Sequence, residues 1–405
     1  MHTLNRSEVE HKKIVIFGAG KIGRSFIGQL FGCSGYRVVF IDVDPAIIAG
    51  LNRRGSYRVV IKGEKEEEII VPNVQAISAL NNEKVIEAVS TAGILAVSVG
   101  KNVLEKIVPA IASGLVQRNT NNPGIPLDII LAENMRSASD FVREHLKENL
   151  PSGFPLDTLV GLVETSIGKM VPIIPQAELE KDPLVVFAEP YNTLIVDRKG
   201  FKSPIPEVKG LAPKDNIKAW VDRKAFIHNL GHATAAYYGY FLHPEAMYLY
   251  EVLEDSEVLL FTRAVMLQSA AILKAAYPED FTEADLETHI DDLIFRFRNK
   301  ALQDTIFRVG QDLPRKLGAN DRFMGSIHLA RQYRMPYGLI LEAMAYGLSF
   351  KAKDESGCSS PSDIIFLDLL EKDFESAFTE ILGYEKELDS HVIKELKRFV
   401  KNVYK

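Results

Sequence analysis

One short segment near the start of the chain restricts its possible folds more than any other feature. An apolar run, Ile14 to Phe17, leads directly into a glycine-rich turn, Gly18-Ala19-Gly20-Lys21-Ile22-Gly23, which opens a helical stretch. In this setting the first glycine permits a tight turn, the second lets the backbone approach a pyrophosphate, and the third lets the helix pack closely on the strand. The amino terminus of the helix supplies donors to phosphate oxygens. This order predicts a dinucleotide-binding fold rather than an unrelated glycine turn.

An acid at the end of the next predicted strand indicates which dinucleotide binds. Asp42 follows the apolar run Tyr36 to Ile41 and lies 24 residues after Gly18. There its carboxylate would accept hydrogen bonds from both hydroxyls of the adenosine ribose and would repel a 2′-phosphate. The predicted cofactor is therefore NAD. A Walker-type phosphate loop is excluded because the required Gly-Lys-Ser/Thr is absent. The residues assigned to the cofactor are Gly18, Ala19, Gly20, Lys21, Ile22, Gly23, Arg24 and Asp42.

The order of apolar runs and helical patterns predicts an α/β fold with two domains. Short apolar runs alternate with helical stretches through residue 135, which is typical of a parallel sheet covered by helices. Three further predicted strands, Leu159 to Val163, Leu184 to Phe187 and Thr193 to Val196, are expected to extend that sheet. After Pro213 the pattern is almost wholly helical, with one long helix expected over Pro244 to Tyr277. We therefore predict a Rossmann-type NAD-binding domain with an extended sheet at 1–210 and a mostly α-helical substrate and catalytic domain at 211–405.

Composition excludes several classes of function. The 405 residues are enough for two cores, and the net charge of -6 gives no support to nucleic-acid binding. Only two cysteines occur, and no zinc-ligand spacing accompanies them. The first residues are polar, and we find no apolar run long enough to span a bilayer. The expectation is a cytoplasmic protein without membrane, metal or nucleic acid, a monomer or small homo-oligomer that acts on a small molecule.

The segment Lys224 to His232 could carry chemistry. At α-helical spacing, we expect one side of a helix to carry Lys224, His228, Asn229 and His232, and apolar residues to occupy the other. Spacing alone favours an ordinary amphipathic helix with a solvated polar face. Oxidation of an alcohol, however, needs a base for the hydroxyl proton and donors that polarise the carbonyl in the reverse direction.

Several motifs resemble those of the polyol-specific long-chain dehydrogenases, the mannitol dehydrogenase family. Lys224, Asn229 and His232 match the family's Lys-x4-Asn-x2-His signature position for position. The other matching segments, which together extend the resemblance from about Lys13 to about Ser356, are Phe17 to Gly20, Glu133 to Met135, Val221 to Lys224, Arg308 to Gly310, Leu313 to Leu317 and Asp321 to Arg322.

The resemblance implies hydride transfer to NAD without a metal. Lys224 would be the general base, and Asn134 and Asn229 would hydrogen-bond the reacting oxygen. His232 would position the substrate or Lys224. His228 lies outside the signature and is expected to be a packed or solvated helix residue.

Basic residues late in the chain indicate an anionic substrate. Arg308, Arg315, Lys316 and Arg322 lie within fifteen residues, either as a solvated surface or as a clamp for phosphate or carboxylate. The Arg315-Lys316 segment resembles that of phosphate-using family members, which implies interconversion of D-mannitol 1-phosphate and D-fructose 6-phosphate. Lys169, in Gly168-Lys169, stands where the family usually has Asp-Arg, and this departure bears on the substrate or on how the two domains are held together rather than on the chemistry. The expected substrate-binding residues are Arg308, Arg315, Lys316 and Lys169.

Two other functions remain open from the sequence. Fructuronate or tagaturonate reductases of the same family would use the basic residues for a carboxylate instead of a phosphate. A sensor that binds NAD(H) without catalysis would need no base, and the presence of Lys224 with its two partners argues against it.

Overall fold

The structure, a computed structural model, describes residues 8–403. The chain divides after Ile217 into two compact units. The first contains the strands of both sheets given below, and the second is helical. The predicted fold class, a Rossmann-type domain followed by a helical domain, is confirmed.

The first unit is built on an eight-stranded sheet, ordered β11-β10-β8-β7-β6-β1-β2-β5. Its pairs are parallel except β8 with β10. The strands are β1 (Glu10–Phe17), β2 (Arg37–Asp42), β5 (Val74–Ser78), β6 (Ala92–Val97), β7 (Leu127–Leu131), β8 (Val160–Ser166), β10 (Leu194–Asp197) and β11 (Leu211–Lys214).

Apolar residues cover both faces of this sheet because helices pack on each side. Along β1, Ile14 and Ile16 belong to one hydrophobic cluster, whereas Val15 and Phe17 belong to another. A strand buried on both faces reads as a continuous apolar run, which is why the sequence revealed it.

A second, three-stranded sheet of order β4-β3-β9 lies in the same unit. Its strands are β3 (Ser56–Lys62), β4 (Glu66–Pro72) and β9 (Val186–Ala188). The expectation that Leu184 to Phe187 extends the main sheet is therefore wrong. β9 pairs in parallel with β3 instead, and an apolar run of this length carries no information about which sheet edge it joins.

Helices of the first unit connect the strands of the main sheet and flank them. A π-helical turn, Gly23–Gly28, follows the glycine loop and continues into the first α-helix. The α-helices are α1 (Gln29–Gly32), α2 (Pro45–Arg54), α3 (Asn82–Ser90), α4 (Lys101–Asn121), α5 (Ala138–Asn149), α6 (Leu156–Leu159) and α7 (Gln176–Lys181), with a 3-10 turn at Arg198–Gly200.

The second unit is helical throughout the part that the structure describes. Its α-helices are α8 (Ile217–Arg223), α9 (Leu230–Leu242), α10 (Leu249–Val252), α11 (Ser256–Ala276), α12 (Glu283–Phe297), α13 (Ile306–Gly310), α14 (Leu313–Lys316), α15 (Met324–Gln332), α16 (Gly338–Gly347), α17 (Pro361–Lys372), α18 (Phe374–Ser376) and α19 (Lys386–Val403). Further turns are π-helical at Lys224–Asn229 and Ala377–Ile381 and 3-10 at Lys300–Leu302.

Two expectations for the helical region are corrected. The long helix expected over Pro244 to Tyr277 is interrupted before Ser256, where Asp255 caps the amino terminus of α11 by accepting a hydrogen bond from the Glu257 amide. The expectation of no segment long enough for a bilayer also fails by length and composition, since α11 meets both criteria. That finding is weak evidence for a membrane, because a helix in a protein core passes the same test.

Candidate active site

The glycine loop has the geometry that its sequence predicts. Gly18 has a φ of +94°, and a Cβ there would lie 2.4 Å from the carbonyl oxygen of Ser98. A Cβ at Gly23 would lie 2.0 Å from the carbonyl oxygen of Gly18. A Cβ at Gly20 would meet nothing within 4 Å. The first and third glycines are thus required by the protein itself, whereas the second leaves open space of the kind a bound pyrophosphate needs.

Asp42, at the end of β2, is held beside this loop by backbone donors. Its Oδ2 accepts a hydrogen bond of 2.6 Å from the amide of Ala19, and its Oδ1 accepts bonds from the amides of Val43 and Asp44 at 2.7 and 3.0 Å. The carboxylate is only partly buried. It is therefore fixed in direction while still open to a ligand, which suits recognition of ribose hydroxyls.

Three side chains of the loop and the first helical turn differ in their surroundings. Lys21 is exposed, and Ile22 is a partly buried residue packed on the core. Arg24 is 7% exposed and donates to the carbonyl oxygens of Ala19 and Leu184, both at 2.6 Å. The guanidinium of Arg24 therefore ties the loop to the chain before β9, and its assignment to the cofactor stays a prediction.

The carboxyl end of β7 carries Glu133 and Asn134. Glu133 is buried, and its carboxylate accepts hydrogen bonds from the amides of Val99 and Gly100, at 2.8 and 3.1 Å. Burial raises the pKa of Glu133, although these two bonds lower it. Glu133 thus fixes the loop after β6. Asn134 follows it as an exposed residue at the edge where the glycine loop also lies, since β7, β6 and β1 are parallel neighbours.

Lys169, proposed from the sequence for substrate binding, is 6% exposed inside the first unit. Its ammonium donates to Asn192 Oδ1 at 2.7 Å and to Gln29 Oε1 at 3.4 Å, and it lies 5.0 Å from the centre of the Phe26 ring. Phe26 and Gln29 belong to the helical segment that follows the glycine loop. Lys169 is thereby engaged in contacts within its own unit, and substrate binding by it stays a prediction.

In the second unit, the signature residues lie on a distorted helix rather than a regular one. Lys224–Asn229 forms a π-helical turn between α8 and α9, and the Leu230 amide bonds to the Ala225 carbonyl five residues back. In a regular α-helix, residues five apart are separated by about 140° around the axis. A turn closed between residues five apart brings Lys224 and Asn229 closer to the same side. Such π-helical turns are frequent at functional sites.

The amine of Lys224 has a pKa suited to proton transfer. Burial, assisted by the cations Arg322 and Arg315 and opposed by Asp321, lowers the pKa of Lys224 to about 8. A lysine with this pKa exists partly as the free amine near neutral pH, which a general base requires.

Asn229 is linked to the basic residues through its backbone. Its carbonyl oxygen accepts a hydrogen bond of 3.3 Å from Arg322 Nη1, and Arg322 also pairs with Asp321 at 2.8 Å. Arg322 is buried. The guanidinium of Arg322 therefore supports the helical turn that carries Lys224, a role that its place in a basic cluster did not predict.

His232, in the first turn of α9, contacts two residues from elsewhere in the unit. Its imidazole stacks on Phe297, with ring centres 4.6 Å apart and planes inclined by 14°. Its Nε2 lies 3.3 Å from Oδ2 of Asp304. Burial, followed by the nearby cation Arg308, lowers the pKa of His232 well below its usual range. His228 is buried against the same Phe297 ring, which agrees with the expectation of a packed residue.

The residues expected to bind an anion differ in how many contacts their charged groups already make within the protein. Lys316 is 5% exposed and donates to the carbonyl oxygens of Val309 and Gln311, and burial lowers its pKa to about 7. Arg308 pairs with Asp304. Arg315 is exposed and pairs with Asp312. Arg308 is exposed as well, and of the three side chains that of Arg315 is the most exposed, at 50% against 42% for Arg308.

Sequence reasoning missed the residues around His232. Asp304 and Phe297 are 72 and 65 positions away from it in the sequence, and neither belongs to a periodic pattern that includes the signature. In residues 8–403, no group of three or more His, Cys, Asp or Glu side chains is placed to hold a metal ion. The predicted independence from metals stays a prediction.

Comparison with known families gives matches over both units. A family model described as the mannitol dehydrogenase Rossmann domain matches residues 12–210. A second, described as the mannitol dehydrogenase C-terminal domain, matches residues 216–402.

Solved structures of similar fold cover the whole chain. One is Pseudomonas fluorescens mannitol 2-dehydrogenase in a ternary complex with NAD and D-mannitol, with a TM-score of 0.73, 14% identity and coverage of 100% of this chain and 93% of that one. Another is a D-sorbitol dehydrogenase in substrate-free form, with a TM-score of 0.76, 18% identity and coverage of 98% and 95%. At these identities the likeness demonstrates a shared fold.

Proposed function

This chain belongs to the mannitol dehydrogenase family, and we propose that it interconverts D-mannitol 1-phosphate and D-fructose 6-phosphate with NAD. The observation that carries the proposal is the place of Lys224 on the π-helical turn of the second unit, where burial lowers its pKa to about 8. An exposed lysine would be almost wholly protonated at neutral pH and would be a poor base. A lysine with the lowered value can take up the hydroxyl proton and return it in the reverse reaction.

The first unit has the features that NAD binding needs. The loop contains open space at Gly20, and Asp42 is held in place by three amides. When bound, NAD⁺ supplies the acceptor for the hydride that leaves the carbinol carbon. Asp42 would accept hydrogen bonds from the two ribose hydroxyls, and its charge disfavours a 2′-phosphate there. The Pseudomonas fluorescens enzyme of the same family is known with NAD, which supports this choice of cofactor.

Proton transfer would be the task of the second unit. Lys224 removes the hydroxyl proton as the carbon–oxygen bond acquires double-bond character. The amide of Asn229 donates to that oxygen, and amide donors stabilise an oxygen that passes between alkoxide and carbonyl. His232 is proposed to bind a neighbouring hydroxyl. Asn134 is proposed as a second donor to the reacting oxygen.

The phosphate group is proposed to bind Arg315. Its guanidinium is exposed, and a planar guanidinium can grip two phosphate oxygens at once. Lys316 is less suited, because its ammonium already donates to two backbone carbonyls and its pKa is about 7. Arg308 pairs with the buried carboxylate of Asp304, whereas Asp312, the partner of Arg315, is itself partly exposed. Of the basic residues expected to bind the phosphate, we therefore propose Arg315 as the main hydrogen-bond donor.

A substrate panel tests the proposal. Fructose 6-phosphate, fructose, fructuronate and tagaturonate are each compared with NADH, and kcat/KM is measured for each. Two charge-assisted bonds of about 1.5–3 kcal/mol each predict a preference of roughly 10²–10⁴ for the phosphate over fructose. Arg315→Ala should remove most of that preference and leave the weak activity with fructose nearly intact.

Each of the other outcomes of the substrate panel would contradict the proposed substrate and favour a different function. A preference for a uronate would mean that the basic residues recognise a carboxylate. Equal rates with fructose and its phosphate would make Arg315 a surface residue. Binding of NADH without reduction of any polyol or ketose substrate would indicate a sensor.

A further inference from the structure

His232 and Asp304 form a buried pair whose geometry restricts the imidazole. Asp304 is 4% exposed, and its Oδ2 lies 3.3 Å from Nε2 of His232. The other oxygen of Asp304 faces Arg308. Within residues 8–403, neither Nε2 nor either carboxylate oxygen makes a hydrogen bond of good geometry to any group. The close approach of Nε2 to the carboxylate is therefore the main polar contact of that edge of the ring.

The backbone of Asp304 is fixed from the helix side. The Leu249 amide donates to the Asp304 carbonyl at 2.9 Å, and an isolated bridge joins Tyr248 to Thr305. These backbone bonds hold Asp304 just before the amino terminus of α13. They restrict movement of its carboxylate away from the imidazole.

The rest of the imidazole is enclosed unevenly. Phe297 covers one face, and Nε2 is inaccessible to solvent. The His232 side chain as a whole is nevertheless 17% exposed to solvent. The accessible part of the ring must therefore lie away from Nε2, and Nδ1 is the ring's other polar atom.

Burial and nearby cations favour the neutral form of this imidazole, because they lower the pKa of His232 well below its usual range. A neutral imidazole has one N–H donor and one acceptor nitrogen. Which nitrogen carries the proton is set by the partner of the other. A carboxylate can only accept, so the nitrogen facing it is the one that should carry hydrogen.

We propose that Asp304 is a positioning residue that holds His232 protonated on Nε2, so that Nδ1 is presented as a hydrogen-bond acceptor to a substrate hydroxyl. This inference rests on the proposed function for its last step, since a polyol supplies hydroxyl donors. It goes beyond the signature, which contains His232 but not Asp304. Carboxylates fix imidazole orientation in the same way at metal sites, where their loss lowers activity about 10–100-fold.

The tautomer can be measured without any substrate. In the full chain with ¹⁵N-labelled histidine, two-bond ¹H–¹⁵N spectra distinguish a protonated Nε2 from a protonated Nδ1, and loss of signal in His232→Gln assigns the resonance. The wild type should show Nε2 protonated. Asp304→Leu should give a mixture of tautomers. A wild-type His232 protonated on Nδ1 would overturn the inference.

Kinetics test whether Asp304 acts through His232. Asp304→Asn keeps the size of the side chain and should lower kcat/KM for the polyol substrate by about 10–100-fold. In a His232→Gln background the same change should have little further effect, because the residue it acts through is already gone. Losses that multiply would show that Asp304 contributes independently, for example by binding substrate itself, and would reject the positioning role.

A second buried aspartate provides a matched control. Asp389 is also buried and faces a histidine, with His328 Nε2 at 2.9 Å from its Oδ1. Asp389→Asn should lower Tm and leave kcat/KM unchanged. If Asp304→Asn behaves like this control, its role is structural and the inference fails. If the substrate panel finds no substrate, the proposed function fails, and the tautomer measurement still decides the inference.

Discussion

Lys224 is the residue whose removal should cost most activity and least stability. Lys224→Ala should lower kcat by roughly 10²–10⁴, the usual effect of losing a general base. The affinity for NADH should hardly change, because the proposed nucleotide-binding residues belong to the other unit. Steady-state kinetics and NADH fluorescence titration measure the two quantities. Lys218→Ala is a matched control, since Lys218 is an exposed lysine on the preceding helix, and it should keep wild-type kcat. A Lys224→Ala variant with near-normal kcat would remove Lys224 from the mechanism.

The lowered pKa of Lys224 predicts opposite pH dependences for the two directions. Oxidation of the polyol needs the free amine, so kcat/KM should fall as the pH drops below about 8. Reduction of the ketose needs the ammonium, so kcat/KM should fall as the pH rises above the same value. When each profile is normalised to its own maximum, the two should cross near that pH. Profiles that change in the same direction would assign the titration to another group.

Asp42 should determine the choice between NAD and NADP. Contact between its carboxylate and a 2′-phosphate costs several kcal/mol, so the wild type should prefer NAD by about a hundredfold or more. Asp42→Asn removes the charge and keeps an oxygen that can accept from the Ala19 amide, so the preference should fall sharply. The ratio of kcat/KM values within each variant is the measurement, and a loss of stability cancels in that ratio. Equal values for both cofactors in the wild type would refute the assignment.

Residues with local roles could be predicted from the sequence, and those with long-range roles could not. Asp42 and the glycines act within one strand–turn–helix unit, so their spacing along the chain identifies them. Asp304 meets His232 only after α10, α11 and α12 have folded between them, and no spacing records that approach. The engagement of Lys316 with the carbonyls of Val309 and Gln311 is equally invisible in the sequence.

The loop that opens the first helical segment offers a pair of variants that separate folding from binding. Gly20→Ala adds a Cβ into open space and should leave Tm nearly unchanged, while it weakens NADH binding by about tenfold or more because the backbone can no longer approach the pyrophosphate closely. Gly23→Ala places a Cβ 2.0 Å from the Gly18 carbonyl oxygen and should destabilise the unit by about 1–3 kcal/mol. Thermal unfolding and NADH titration of both variants provide the test. Normal NADH affinity in Gly20→Ala would contradict a dinucleotide at this loop.

Strands could be predicted from the sequence where both of their faces are buried, because such strands consist mainly of apolar residues. The central strand β1 contains the continuous apolar run Ile14 to Phe17 and was identified. The edge strand β5 (Val74–Ser78) was missed, because polar residues such as Gln75 and Ser78 interrupt its pattern. The π-helical turn Lys224–Asn229 could not be distinguished from an α-helix, since both share the same residue preferences. That turn nevertheless changes which side chains share a face, so the detail that matters most to the site was the least predictable.

At the scale of the whole molecule, the net charge says little about the substrate. The chain carries -6, yet Arg308, Arg315 and Arg322 lie within fifteen residues, and two of them, Arg315 and Arg322, act electrostatically on the proposed base Lys224. Each of these cations also contacts an acid, respectively Asp304, Asp312 and Asp321. Local pairing therefore decides which cation remains accessible to an anionic substrate, and the sequence cannot show that pairing. The family and the fold class, by contrast, depend on motifs and alternation spread over most of the chain, and both predictions are confirmed.

The complete enzyme should work without a metal ion. A dehydrogenase needs some group to take the hydroxyl proton and some group to stabilise the charge on the oxygen, and here Lys224 and Asn229 are proposed for these two tasks. Activity with NAD and the polyol substrate should therefore survive prolonged dialysis against a strong chelator, with kcat unchanged. A zinc-dependent alcohol dehydrogenase treated in parallel is the control for effective chelation. If activity is lost and zinc restores it, a metal rather than Lys224 is the principal device that activates the hydroxyl, and the Lys224→Ala variant should then retain most of its kcat in the presence of zinc.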